Sequence, residues 1–375
     1  MSNAFYPRAS ISSSVVEFKR LQFKVKPRTA SSSAKGLVVQ ASEEKDPLKS
    51  PRQLGEREII EIIQRRLELM PNMPVPFGDD VSAYDLDKGE LAVLKTDMLV
   101  DLTDVPRGMS LWQAARKAVV MNVSDFAAKG VRPLAMLVSL GLPRKMARKD
   151  IENIADGLNS GAREYGAYIV GGDTGEASDL VINVSVFGIA KKKEMMLRSG
   201  ARLGDIVAVT GLFGKTSAGL KVWLGKFKAT QRMRKILVDS VLMPHARLDE
   251  GLALSLTKAV TAAIDSSDGL AWSLHEIARA CNVGFLINSV PIAKEAEAFA
   301  RINKLDSVEL TFYGGEEYEL VVTVKPKLLN KARNAVEKAG GKLLPIGEAI
   351  AERQVVLEFE GEGLSIEPRG YEHFR

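Results

Sequence analysis

The stretch Val260-Thr261-Ala262-Ala263-Ile264-Asp265-Ser266-Ser267-Asp268-Gly269-Leu270 reads as a strand, an acid-bearing turn and the start of a helix. Its first five residues are a short apolar run of strand length, two aspartates interrupt it, and residues 270–280 resume with apolar side chains at helical spacing. Asp268-Gly269 therefore opens a helix whose first amides can face an anion.

Working outward, acids recur in short polar patches beside apolar runs, at Gly78-Asp79-Asp80, Thr96-Asp97, Asn122-Val123-Ser124-Asp125 and Gly171-Gly172-Asp173-Thr174. Strand-like runs are expected at 91–96, 134–140, 168–170, 182–186, 206–209, 260–264, 285–287 and 320–324. Helical patterns cover residues 56–67, 110–129 with Ser110 as N-cap and Gly130 as stop, 148–165, 270–280 and 328–339. The interleaving predicts an α/β class with mixed (α+β) sheets. A length of 375 residues with 46% apolar content predicts two domains. We place an extension at 1–52, an N-terminal domain at 53–190 and a C-terminal domain at 191–375, with the basic, glycine-ended segment 191–200 as connector.

The formal charge of +5 belongs to the amino end. Residues 1–42 hold Arg8, Lys19, Arg20, Lys24, Lys26, Arg28 and Lys35 against Glu17, leaving 45 basic and 46 acidic residues in the rest. The globular part carries no basic excess, so no nucleic-acid partner is expected. Nine serines and almost no acid through Ser42 are the composition of an organelle transit peptide, and 38–42 resembles a plastid processing site; an unstructured extension of a cytoplasmic protein is the alternative. The lone Cys281 excludes an internal disulfide, and His245, His275 and His373 form no zinc-type grouping. No apolar run is long enough for a membrane span.

Each acidic patch alone is more often a turn or a cap than a site. Together they suit Mg²⁺, a hard ion that takes one or two carboxylates plus phosphate oxygens. Carboxylates gathered beside a triphosphate would repel it unless several such ions intervened. Gly171 and Gly172 would let the backbone approach a phosphate. Gly211-Leu212-Phe213-Gly214-Lys215-Thr216 superficially resembles a P-loop, but two residues separate its first Gly from the Gly-Lys pair where four are needed. We read it as a strand–turn–helix joint.

In order, these patches resemble the thiamine-monophosphate kinase family, part of the aminoimidazole ribonucleotide synthetase-like superfamily. The resemblance runs from about Gly55 to Phe374 and also rests on Lys95–Val100, Asn122 through Gly130, Arg198-Ser199-Gly200-Ala201, Gly314-Gly315-Glu316-Glu317-Tyr318-Glu319-Leu320 and Gly370-Tyr371-Glu372-His373-Phe374. It implies a two-domain fold whose N-terminal sheet pairs across a homodimer, and transfer of phosphate from ATP to thiamine monophosphate with several Mg²⁺ ions. By the same resemblance Asp80, Thr96, Asp97, Asp125, Asp173, Asp265 and Asp268 would hold metal. Gly172, Asp173, Arg198 and Ser267 would contact ATP, and Asp104, Glu316 and Tyr371 would meet the substrate. Asp268 and Arg198 would carry the chemistry. The family often has Ser at Lys95, a His at Asp104 and Asp at Glu317, so acceptor contacts differ here. Another ATP-dependent enzyme of the superfamily is the alternative.

Overall fold

The structure is a computed structural model, and it describes residues 49–225, 227–359 and 361–374. The expected transit peptide lies outside the described residues.

The first sheet contains β1 (Ser82–Asp85), β2 (Glu90–Val100), β3 (Pro133–Pro143), β4 (Tyr168–Ala177) and β5 (Val181–Lys191), in the order β1-β2-β5-β3-β4. β3 and β4 run parallel and the other pairs antiparallel. Alternation sorts its residues. Leu91, Val93, Leu99, Ile182, Val184 and Val186 point inward and are buried, whereas Leu94, Met98, Leu134, Leu137, Tyr168 and Val170 lie exposed.

The second sheet contains β6 (Ile206–Val209), β7 (Val260–Asp265), β8 (Gly284–Ile287), β9 (Leu320–Val324), β10 (Leu344–Ile350), β11 (Val355–Phe359) and β12 (Glu362–Ser365). Their order is β12-β11-β8-β10-β6-β9-β7, antiparallel except for β11 beside β8. One parallel pair in each makes both sheets mixed, as expected.

The helix Leu111–Lys129 ties the molecule together. Ser110 caps it by accepting from the Gln113 amide at 3.2 Å, and Gly130 ends it in the left-handed region at φ 65°. It packs on β2 and β5, on β7 of the other sheet, and on the helices Arg148–Glu164 and Leu248–Thr257. From Ala114 to Lys129 every residue except Met121 is buried. Neighbouring backbones press directly on it: a Cβ on Gly251 would stand 2.0 Å from the Ala127 carbonyl oxygen, and one on Gly157 2.2 Å from that of Trp112. A helix enclosed on all sides has no wet face, so its charged residues must find partners inside the protein.

Three expectations need correction. The helix Glu56–Gln64 stops before Leu67 and buries none of its residues; Ile60 and Ile63 lie about half exposed. Gly171-Gly172-Asp173-Thr174 is no terminal loop: it lies within β4, paired with β3. There, a Cβ on Gly172 would meet the Val138 carbonyl oxygen at 1.8 Å, so close strand approach already demands this glycine.

Candidate active site

Lys117, Ser124 and Asp125 stand seven and eight residues apart on one side of the helix Leu111–Lys129, with Lys129 a turn beyond Asp125. Together with the ends of β2 and β7 they build a buried polar cluster. Asp80, Asp125 and Asp265 converge from three separate segments, each offering an oxygen within 4.8 Å of the others. Ser124 Oγ donates to Asp265 Oδ2 at 2.6 Å. Lys129 Nζ sits 2.6 Å from Asp79 Oδ1 and 2.7 Å from Asp80 Oδ2, and also donates to the Ala263 carbonyl at 2.8 Å. Arg198 Nε donates to Asp80 Oδ1 at 2.6 Å, and its Nη1 to the Gly78 carbonyl at 2.8 Å. On β2, Lys95 Nζ lies 2.9 Å from Asp125 Oδ2 and 3.1 Å from Asp97 Oδ1.

The balance of these charges is uneven. Burial raises the Asp80 carboxyl, but Lys129 and Arg198 outweigh it and hold the group below the ordinary range. Asp125 is pushed well up by burial, with Asp265, Asp97 and Asp80 adding repulsion that Lys95 only partly offsets. Burial and Asp80 push Asp265 up to about 6. Asp268 lines a cleft of about 360 Å³ with Glu56, Arg57, Gly78, Arg198 and Tyr371. It touches solvent, yet enclosure in that cleft, Glu56 and Asp265 push its carboxyl up to about 7. Negative charge thus exceeds the positive charge available. Hard oxygens, close together and short of cations, are a donor set that fits Mg²⁺.

Beside Ser266 and Ser267 the string Gly314–Leu320 distributes three acids among three partners. Glu316 and Tyr318 adopt left-handed backbone at φ 63° and 52°. Their amides are pinned to the Ser267 and Ser266 carbonyls at 2.6 and 3.0 Å, which maintains a conformation worth about 1–3 kcal/mol of strain at each such residue. The kinks send successive side chains apart. Glu316 pairs with the buried Lys117, whose ammonium also donates to the Asp104 carbonyl at 2.8 Å. Glu317 turns inward and accepts from the Thr216 amide at 3.0 Å. Glu319 takes Arg247 at 2.5 and 2.8 Å and Thr210 Oγ1 at 2.8 Å.

Glu317 explains the P-loop look-alike. The helix Lys215–Leu224 follows Gly214, and the free amides at its start are answered by this internal carboxylate rather than by a phosphate. Burial pushes Glu317 up to about 7 despite those amides.

The residues anticipated from sequence separate into three groups. Asp80, Asp125 and Asp265 form the buried core, with Asp97 joined to it through Lys95. Asp268, Arg198 and Tyr371 line the cleft, Ser267 directly precedes Asp268, and Asp104 and Glu316 lie close enough to act on the Tyr371 hydroxyl; the Tyr371 amide donates to the Asp268 carbonyl at 3.1 Å. Partial burial raises the Tyr371 hydroxyl to about 12, with Asp104, Glu316, Glu56 and Asp268 adding negative charge around it. The Asp104 carboxylate also accepts from the Val100 amide at 2.7 Å. Thr96 and the Gly172-Asp173 pair lie elsewhere. Thr96 is on the opposite face of β2 from Asp97, its hydroxyl 2.9 Å from Ser185 Oγ and 3.0 Å from Asn183 Oδ1. Asp173 lies exposed on β4, with β5 and β3 between it and β2. Sequence reading missed Lys117 and Lys129. The available signal was a lysine inside a helix too apolar throughout to leave a solvent-facing stripe.

The chain resembles known proteins over most of its length. Residues 78–190 match the family model for the N-terminal domain of AIR synthase related proteins, and 202–360 that for the C-terminal domain. The thiamine-monophosphate kinase of Nitrosopumilus maritimus is 36% identical over 322 residues, covering 86% of this chain and 99% of that protein. The Pyrococcus horikoshii thiamine-monophosphate kinase is 40% identical over 266 residues, 70% of this chain and 81% of the relative. Among solved structures, AaThiL complexed with AMPPCP and TMP superposes with a TM-score of 0.76 at 26% identity, covering 88% of this chain and 100% of that one. Relatives matched over nearly their whole length, and two domain models that between them take in the buried acids, settle the lineage: the chain belongs to the thiamine-monophosphate kinase family.

Proposed function

We propose that this protein transfers the γ-phosphoryl group of ATP to thiamine monophosphate, giving thiamine diphosphate. The observation that carries the reading is the convergence of Asp80, Asp125 and Asp265, bordered by Asp97 and Asp268, in excess over the cations beside them. These five acids would hold Mg²⁺, which when bound screens the phosphates of donor and acceptor from each other. Thr96 Oγ1, turned to the other face of β2, is left out of that set. The names of the curated relatives and the AMPPCP and TMP bound to AaThiL support the same pair of substrates.

The acceptor needs little activation. A phosphate monoester has its second pKa near 6, so its attacking oxygen is already largely ionised at neutral pH. Catalysis then consists of aligning two anions and offsetting their repulsion. Arg198, fixed by Asp80 and the Gly78 carbonyl, presents a guanidinium to the cleft for the ATP phosphates. Tyr371, Asp104 and Glu316 supply a ring and negative charge suited to a cationic thiazolium. Lys117 neutralises part of Glu316 and orients it.

The reading includes a homodimer in which a second copy covers Leu94, Met98, Leu134, Leu137, Tyr168 and Val170, large apolar side chains that lie exposed on the first sheet. It also includes import into a plastid or other organelle, supported by the composition of residues 1–42; a native amino terminus at Met1, read by mass spectrometry, would remove that part. The decisive assay incubates the protein with ATP, Mg²⁺ and thiamine monophosphate and follows thiamine diphosphate by chromatography. ATP consumption without the diphosphate would overturn the acceptor assignment.

A further inference from the structure

Lys95 stands where a lysine is costly. It lies on the inward face of β2, in alternation with Leu91, Val93 and Leu99, and its side chain is only 18% exposed. There its ammonium meets Asp97 Oδ1 at 3.1 Å and Asp125 Oδ2 at 2.9 Å. Asp125 is also one of the three acids that converge on the buried centre. The lysine therefore occupies a carboxylate oxygen of the proposed metal set itself, and bridges it to a second acid of that set.

We propose that Lys95 is a tethered cation of the active site: its ammonium fills one position between Asp97 and Asp125 that a divalent ion would otherwise take. The inference rests on the metal-binding reading above and extends it by one residue. A tethered ammonium cannot be lost by dilution or chelation, so part of the cluster's charge is offset before any ion arrives. It is also singly charged and supplies N–H donors in place of open coordination sites. Asp80, Asp265, Asp268 and the other carboxylate oxygens of Asp97 and Asp125 are left for ions that arrive with the nucleotide. Asp125 and Asp97 supply the negative partners that a buried ammonium requires. Lys129 and Arg198, by contrast, act on Asp80 and leave Asp97 untouched.

The test counts ions. Mn²⁺ bound per chain, measured by the loss of the free-ion electron paramagnetic resonance signal with and without AMPPCP, is compared among the wild type, Lys95→Ala and Lys95→Arg. The alanine variant is expected to bind one more Mn²⁺ than the wild type, and the arginine variant the same number. In EDTA the melting temperature of Lys95→Ala should fall by several degrees and recover on adding Mn²⁺, while that of the wild type changes less. If Lys95→Ala folds only when refolded with Mn²⁺ and carries the extra ion, the proposal stands. Failure to fold at any Mn²⁺ concentration overturns it, since an ion then cannot replace the ammonium. Equal, non-zero counts in the wild type and Lys95→Ala overturn the role of Lys95 and leave the metal reading intact. No Mn²⁺ on any of the three proteins overturns both.

Discussion

Near its amino end the helix Leu111–Lys129 carries Arg116, which meets Glu164 through paired bonds of 2.9 and 2.8 Å and donates to the Pro244 carbonyl at 2.8 Å. Nine residues on, the same helix carries Asp125, facing Asp80 and Asp265. Both clusters are ionic and both are anchored on one buried rod, but the Glu164 carboxyl shifts one way and those of Asp265 and Asp268 the other. At Glu164, burial is overcome by the His245 and Arg116 bonds and the carboxyl falls to about 2. At Asp265 and Asp268 burial and like charge win, and the carboxyls rise to about 6 and about 7. The first network is complete within the chain; the second needs something brought to it. Charge imbalance, rather than burial or ion pairing as such, is what distinguishes a site from a brace.

The sharpest way to break this contrast is to remove one charge from each network. Asp268→Asn should lower thiamine diphosphate formation by about 10³-fold or more, because a group aimed at the reacting phosphates is lost. Its metal-free melting temperature should hold or rise, since a repelled carboxylate has gone. Near-normal turnover at saturating Mg²⁺ would contradict the assignment. Glu164→Gln should do the reverse. Arg116 is only 2% exposed and would keep the Pro244 carbonyl but lose its counter-charge. A stability loss of about 2 kcal/mol is expected, below the full value for a buried pair because Glu164 is one-third exposed. Turnover per folded molecule should not change, as read by urea titration alongside the assay.

Arg198→Ala sharpens the comparison within the site. Arg198 faces Asp80 and the cleft, so its loss should raise the ATP requirement about tenfold and the thiamine monophosphate requirement much less. The reverse pattern would place it in the other subsite. The smallest effect concerns pH. For Asp265 and Asp268 the folded protein holds protons that the unfolded chain, with carboxyl pKa values near 4, would release. Their contribution therefore makes the metal-free protein less stable as pH rises from about 4 to about 7. Glu164 contributes stability that is fully present above the ordinary carboxyl range and lost as pH falls towards about 2. Melting curves in EDTA should show both trends, Mg²⁺ should flatten the first, and Glu164→Gln should remove the second.

Much of this was legible from residue order. The strand at 260–264 ending in Asp265, the cap at Ser110 and the stop at Gly130 are local signals, set by apolar period and end chemistry, and they recur in the structure. The acids could be enumerated because they follow apolar runs. Which of them meet was not legible, since convergence of residues 80, 125 and 265 depends on how two sheets clasp one helix. Thr96 illustrates the limit: one residue from Asp97 along a strand is the opposite face. Gly172 illustrates another, because a glycine required by the neighbouring Val138 looks in sequence like one required by a phosphate. The partners of Lys95, Lys117 and Lys129 were invisible for the same reason, lying 30 to nearly 200 residues away in several cases.

That the acid-bearing rod is also the most enclosed element has a dynamic consequence. Amides at 118–128 are sheltered by both sheets and two helices, so they can exchange with deuterated solvent only when the whole molecule opens. The exposed helix Glu56–Gln64 and the tail carrying Tyr371 have no such shelter and should exchange early. Movement at the substrate cleft is therefore expected in this rim while the anchor of the acids stays still, and heating should cost turnover at the rim before the acids separate.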